Sequence, residues 1–134
     1  MSEDKTLKVW REFKPGNPQG IVTPNNVDPV WKCVATLSGY HDRTVYDVDW
    51  SKDANDLIAT ASADDAIRLF RKSDDAQDAQ QLAHAQNNYE LACARESAHA
   101  QDVNCVAWNP RREGLLASCS DDGDVKIWRV VNDG

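Results

Sequence analysis

Within these 134 residues no basic run is longer than Arg111-Arg112, and the net charge is −7. An acidic chain of this kind repels phosphate backbones, which argues against generic nucleic-acid binding. Long apolar runs are missing as well. Runs such as Leu115-Leu116-Ala117 fall far short of the ~20 residues a membrane-spanning helix needs. The opening Met1-Ser2-Glu3-Asp4-Lys5 lacks the apolar core of a secretion signal. Cysteine is present only as Cys33, Cys93, Cys105 and Cys119, with no Cys-x-x-Cys pair, so no turn holds two metal ligands together. Each lies in an apolar or small-residue stretch, and reduced, buried thiols are expected. There is no glycine-rich phosphate loop, no His-Glu-x-x-His and no nucleophile elbow, so no residue is assigned to catalysis. His84 stands alone in a polar stretch and reads as solvated surface. The pairs Asp74-Asp75 and Asp121-Asp122 lack calcium-loop spacing and read as turn residues, so no metal or cofactor is expected to bind directly.

What is there is internal repetition. The stretch GYHDRTVYDVDWSKDANDLIATASADDAIRLFRK (39–72) aligns with SAHAQDVNCVAWNPRREGLLASCSDDGDVKIWRV (97–130) at a constant offset of 58 residues. His41 matches His99, Trp50 matches Trp108, Asp64 matches Asp122 and Phe70 matches Trp128. A third, partial copy opens the chain: Ser2-x-Asp4 matches Ser62-x-Asp64, and Trp10 matches Phe70.

Each full copy predicts three short strands: TVYDVDW or DVNCVAW, LIATAS or LLASCS, and, after an aspartate turn, AIRLF or VKIW. The second strand carries small and β-branched residues on both faces, which suits a strand covered on both sides. WKCVATL (31–37) and YELACAR (89–95) predict a fourth strand ahead of each histidine. Four antiparallel strands per repeat describe a propeller blade. Two longer connections, 14–29 and 72–88, read as exposed insertions, the second with a helical turn through 76–85.

A Gly-His-like pair, a Ser-x-Asp and a strand closing on tryptophan resemble the WD-repeat signature. The copies depart from it in GYH, in Ala98 where glycine is usual, and in Trp-Arg or Phe-Arg where Trp-Asp is usual. The fold class expected is all-β: two to three blades of a seven-bladed ring. Residues 1–37 would end one blade, 38–96 would form a complete blade, and 97–134 a blade lacking its last strand. Residues 2–10 read as the turn and third strand of a blade that begins upstream.

His99, Ser118, Asp122 and Trp128 carry two readings. A His, a Ser and an Asp suggest a hydrolase triad. The resemblance implies instead a structural tetrad sharing one hydrogen-bond chain, and recurrence in register favours that reading. The equivalent set is His41, Thr60, Asp64 and Phe70. Phenylalanine has no indole N–H, so that network should be incomplete.

Further stretches are similar to one subfamily: VWKCVATLSGYHDRTVYDVDW (30–50), ADDAIRLF (63–70), AHAQDVNCVAWNP (98–110) and LLASCSDDGDVKIW (115–128). They resemble the C-terminal blades of the WD-repeat subunit of the cytosolic iron–sulfur protein assembly machinery, and PGNPQGIVTP (15–24) is similar to its insect members. The resemblance implies a non-catalytic scaffold of cytosol and nucleus. Its implied partners are a small mitotic-spindle-associated subunit, a HEAT-repeat adaptor and the apoprotein clients that receive [4Fe-4S] clusters. A generic WD-repeat adaptor, such as a ubiquitin-ligase receptor or chromatin subunit, is the other reading. Partner contact is expected on a rim of Glu3, Arg43, Thr44, Tyr46, Asp102, Asn104 and Asp121. Open blade faces would also promote self-association of the isolated chain.

Overall fold

The computed structural model describes residues 3–18, 20–23, 25, 27–73 and 89–131. The helical turn expected through 76–85, the lone His84 and Ser2 lie outside them. Among the described residues there are nine strands: β1 (Leu7–Phe13), β2 (Val30–Leu37), β3 (Val45–Trp50), β4 (Ile58–Ser62), β5 (Ile67–Lys72), β6 (Tyr89–Arg95), β7 (Val103–Trp108), β8 (Leu115–Ser120) and β9 (Val125–Arg129). They form three antiparallel sheets: β1-β2, then β3-β4-β5-β6, then β7-β8-β9. This is the partial propeller architecture that the repeat predicts. The first strand does not stop at Trp10 but runs on to Phe13, whose ring is buried in the core.

Apolar side chains alternate along β4 because two different sheets cover it. Ile58 joins a cluster with Leu7, Val9, Phe13, Val34 and Leu37 of the first sheet. Ala59 and Ala61 point the other way, into a cluster with Val103, Val106 and Leu116 of the third. All five residues of β4 are buried. Small side chains are required here, since two sheets approach within side-chain reach on opposite faces. Among the described residues, its counterpart β8 is covered on one face only. Pairing places Cys105, Ala107, Ala117, Cys119, Val125 and Ile127 together on the other face, with Val125 70% and Ile127 68% exposed.

That arrangement corrects the expectation of buried thiols. All four cysteines are free, but Cys33, Cys93 and Cys105 are exposed and Cys119 is half-buried. The strand faces that carry them meet no covering sheet among the described residues. The connection 14–29 is also less detached than expected. Asn17 donates to the carbonyls of Lys14 and Ile21 and accepts the Ile21 N–H. Ile21 thereby packs on the first cluster, and Thr23 is buried.

Backbone geometry repeats where residue type does not. Asp65 and Gly123 both take positive φ (66° and 85°), as do Asp56 and Gly114 (51° and 77°) and Gly39 and Ser97 (82° and 52°). Each pair is related by the 58-residue offset. The turns demand left-handed residues, and glycine supplies them freely in only one copy of each pair.

Candidate functional site

The two histidine sets sit at one end of the sheets, where the segments before β3 and β7 meet the β4–β5 and β8–β9 turns. Asp64 and Asp122 first build those turns. Asp64 Oδ1 accepts the Ala66 N–H at 3.2 Å, and Asp122 Oδ1 accepts the Asp124 N–H at 2.8 Å. Their second oxygens reach back across the sheet to the Asp42 N–H (3.1 Å) and the Ala100 N–H (3.0 Å). Each aspartate thus ties the chain before the first strand of its copy to the turn before the third.

In the third sheet the chain of hydrogen bonds is complete. Trp128 Nε1–H donates to Ser118 Oγ at 2.9 Å, Ser118 Oγ pairs with His99 Nε2 at 2.8 Å, and His99 Nδ1 meets Asp122 Oδ2 at 3.1 Å. With the indole donating to Ser118, the serine hydroxyl is free to donate to Nε2, leaving the proton on Nδ1 for the carboxylate. The His99 side chain is fully buried. Asp122 is held down at about 2 by the N–H of Asp124, with the Ala100 N–H and His99 adding to it.

The second sheet differs at one point. His41 Nε2 pairs with Thr60 Oγ1 at 2.9 Å, but its buried Nδ1 has no partner among the described residues. Arg68 has taken the carboxylate, with Nη1 at 2.8 and 3.0 Å from the two Asp64 oxygens. The residue equivalent to Arg68 is Lys126, and its ammonium donates to the Ala98 carbonyl at 2.8 Å, which leaves Asp122 to His99. Burial first, and then the Arg68 charge, push the His41 pKa down. Phe70 is fully buried, edge-on to Tyr40 with centroids 5.2 Å apart, and its ring lies 5.8 Å from that of His41. Sequence reasoning missed Arg68 and Lys126. The signal was their equivalence at the same offset, one a fork that fits a carboxylate and the other a point charge.

Ser118, His99 and Asp122 lie in the order of a nucleophile, a base and its orienting acid. Yet Ser118 is buried, its oxygen is shared by both the indole and the imidazole, and no described cavity reaches it. A nucleophile needs an open position beside it for the reacting atom.

Of the rim residues, four come together. Tyr46 Oη–H donates to Asp102 at 3.1 Å, Asn104 Nδ2–H to Asp121 at 2.8 Å, and the Asp121 N–H to the Asp102 carbonyl at 3.3 Å. The Asp102 hydrogen bond pushes the Tyr46 pKa up. Arg43 is exposed nearby, and its charge is felt at Tyr46. The Thr44 carbonyl is occupied by the Ala63 N–H and the Ser62 hydroxyl. Glu3 is exposed on the first copy and is not joined to this set by any described contact.

The sheets themselves are coupled by two aspartates of β3. Asp47 Oδ2 accepts the Val106 N–H at 3.0 Å, and Asp49 Oδ2 accepts the Trp108 N–H at 2.7 Å. Trp108 Nε1–H also donates to the Asp49 carbonyl at 3.0 Å. These carboxylates cap edge-strand N–H groups that would otherwise lack partners. At the opposite end, a cleft of about 390 Å³ lies between Trp50, Trp108, Pro110 and Arg111.

Comparison with known proteins adds an independent line. The WD domain, G-beta repeat family matches residues 31–71 and 91–129. The chain is 47% identical over 128 residues to the probable cytosolic iron-sulfur protein assembly protein Ciao1 of Aedes aegypti, covering 96% of this chain and 35% of that protein. It is 53% identical over 122 residues to the protein of the same name from Drosophila mojavensis (91% and 34%). To the rat protein, probable cytosolic iron-sulfur protein assembly protein CIAO1, it is 52% identical over 119 residues (89% and 33%). The chain spans about a third of the length of the curated relatives it matches.

Proposed function

The chain belongs to the WD domain, G-beta repeat family, and from that membership we propose that it supplies blades to a non-catalytic scaffold of cytosolic iron–sulfur protein assembly. The observation that carries the reading is identity of about half the positions with relatives named for that process. The state of Ser118 supports the non-catalytic part, because its hydroxyl serves Trp128 and His99 and faces no open position. In this role the histidine sets fix strand register, and the residues they hold rigid present a binding surface. Arg43, Tyr46, Asp102, Asn104 and Asp121 form that surface, an aromatic, a cation and polar groups held by their own hydrogen bonds. The partners are a small mitotic-spindle-associated subunit and a HEAT-repeat adaptor. The clients are apoproteins of cytosol and nucleus that take up [4Fe-4S] clusters, and the cluster is cargo passing through the complex.

The test replaces the matching segment of the Aedes aegypti relative with this chain and titrates the purified chimera against the two partner proteins by calorimetry. Binding within tenfold of the parent is expected, with Arg43→Ala and Tyr46→Ala each weakening it. A folded chimera that binds neither partner would overturn the assignment and leave a generic WD-repeat adaptor as the better reading.

A further inference from the structure

Cys105 on β7 and Cys119 on β8 are direct cross-strand partners. The Asn109 N–H bonds the Leu115 carbonyl at 2.8 Å, so by two-residue alternation Cys105 and Cys119 also occupy a hydrogen-bonded pair. Such pairs hold Cα atoms about 5.5 Å apart, inside the window a disulfide accepts. Their side chains share the open face of the third sheet, the two thiols interact, and Cys105 reaches solvent. A third group enters from the neighbouring sheet: the carboxylate of Asp47, bound to the N–H of Val106 next to Cys105, acts on the Cys105 thiol. That carboxylate is itself fixed, accepting the Val48 and Val106 N–H groups at 2.9 and 3.0 Å.

We infer that Cys105 and Cys119 are a dithiol modification site that closes to a disulfide by exchange with a small-molecule disulfide, and that Asp47 slows this closure. The Cys119 thiolate attacks one sulfur of the small disulfide, expelling one thiolate and forming a mixed disulfide. Cys105 then loses its proton and attacks the Cys119 sulfur, expelling the second thiolate. Two protein S–H groups become one S–S bond, and one external disulfide becomes two thiols. The second step is where Asp47 acts. Its hydrogen bond and charge push the Cys105 thiol up to about 11, from an ordinary 9.0, with burial and Cys119 contributing less than the hydrogen bond. A thiolate beside that carboxylate is disfavoured, so the pair rests reduced. Cross-strand Cβ spacings exceed those of relaxed disulfides by roughly 1 Å, so the bond formed is strained and opens readily to excess thiol.

The test uses the full chain with Cys33→Ser and Cys93→Ser, incubated with glutathione disulfide. Arg111 and Arg112 separate the two cysteines, so trypsin places them on different peptides. The expected product has lost two hydrogen atoms and yields the Cys105 and Cys119 peptides joined, and excess dithiothreitol returns the free thiols. Asp47→Asn raises the Cys105 thiolate fraction by up to about 100-fold if the pKa returns to 9.0. With the lower nucleophilicity of a less basic thiolate, closure then runs about tenfold faster. Should that variant fail to fold, alkylation of Cys105 in the parent chain reads the same guard, rising only as pH approaches 11. Persistent separate glutathione adducts with no joined peptide would overturn the site. Closure in folded Asp47→Asn at the parent rate, or a Cys105 alkylation midpoint near 9, would overturn the role of Asp47.

Discussion

Ser118→Ala probes the shared hydroxyl at the centre of the complete network. The substitution removes one oxygen and little volume, so packing around it changes little. It strands His99 Nε2, whose side chain is fully buried, and it frees Trp128 Nε1, which is half-buried. A buried polar group left without its partner costs about 1–3 kcal/mol, with the half-buried indole at the low end because water reaches it. The expected loss is about 2–4 kcal/mol, a large fraction of the stability of a domain this size. Urea unfolding followed by tryptophan fluorescence, at a concentration where the chain is monomeric, should show a lower midpoint at unchanged slope. Trp128→Phe copies the aromatic of the second sheet and removes the indole N–H. In that background Ser118→Ala should cost about 1 kcal/mol less, which a double-mutant cycle reads directly. A Ser118→Ala midpoint within 0.5 kcal/mol of the parent, or strict additivity with Trp128→Phe, would refute the shared-node argument (roughly the noise of such cycles).

The other predictions concern the same parts. Arg68→Lys should send the ammonium to the Tyr40 carbonyl, as Lys126 goes to Ala98, and return Asp64 to His41; the His41 pKa read by NMR titration then rises above that of the parent, and an unchanged value contradicts the competition. The folded-state pKa of His41 lies below its ordinary 6.5, so its contribution to stability is full above pH 6.5 and falls as pH is lowered through it. Asp122, held at about 2, adds a second loss between about pH 4 and 2; unfolding midpoints flat from pH 7 to 2 would contradict both signs. Asp49→Ala leaves the Trp108 N–H uncapped and should cost about 1–3 kcal/mol, measured by denaturation. Ser97→Gly relieves a left-handed serine at the position Gly39 fills in the other copy, and should stabilise by roughly 0.5–1 kcal/mol. Sedimentation velocity should show concentration-dependent association through the open faces that carry Trp10 and Trp31, 55% and 60% exposed, and Val125 and Ile127.

The repeat was legible because hydrophobic alternation and the His, Asp and Trp positions keep one offset, which fixed strand order and the double-covered β4. Left-handed turn positions were less visible, since Asp65 and Ser97 serve where Gly123 and Gly39 do in the other copy. The burial of the cysteines was misjudged because an apolar neighbourhood in sequence says a strand face is apolar, not that another sheet covers it. The routing of Asp64 depended on how far one cation reaches. Arg68 and Lys126 are interchangeable as charge, yet Nη1 of the guanidinium meets both carboxylate oxygens of Asp64 and the ammonium finds a single carbonyl. The capping of β7 by Asp47 and Asp49 was hidden for another reason. It joins residues 59 apart whose alternation looks like ordinary solvent-facing polarity.

The scaffold assignment meets its most direct test in cells whose own relative is replaced by the chimera carrying this chain. Radioiron incorporation into a cytosolic iron–sulfur apoprotein is the readout. The account predicts incorporation restored toward the parent level, and lost again when Arg43 and Tyr46 are both changed to alanine. A chimera that accumulates, folded, at the parent level while incorporation stays at the depleted level would contradict it.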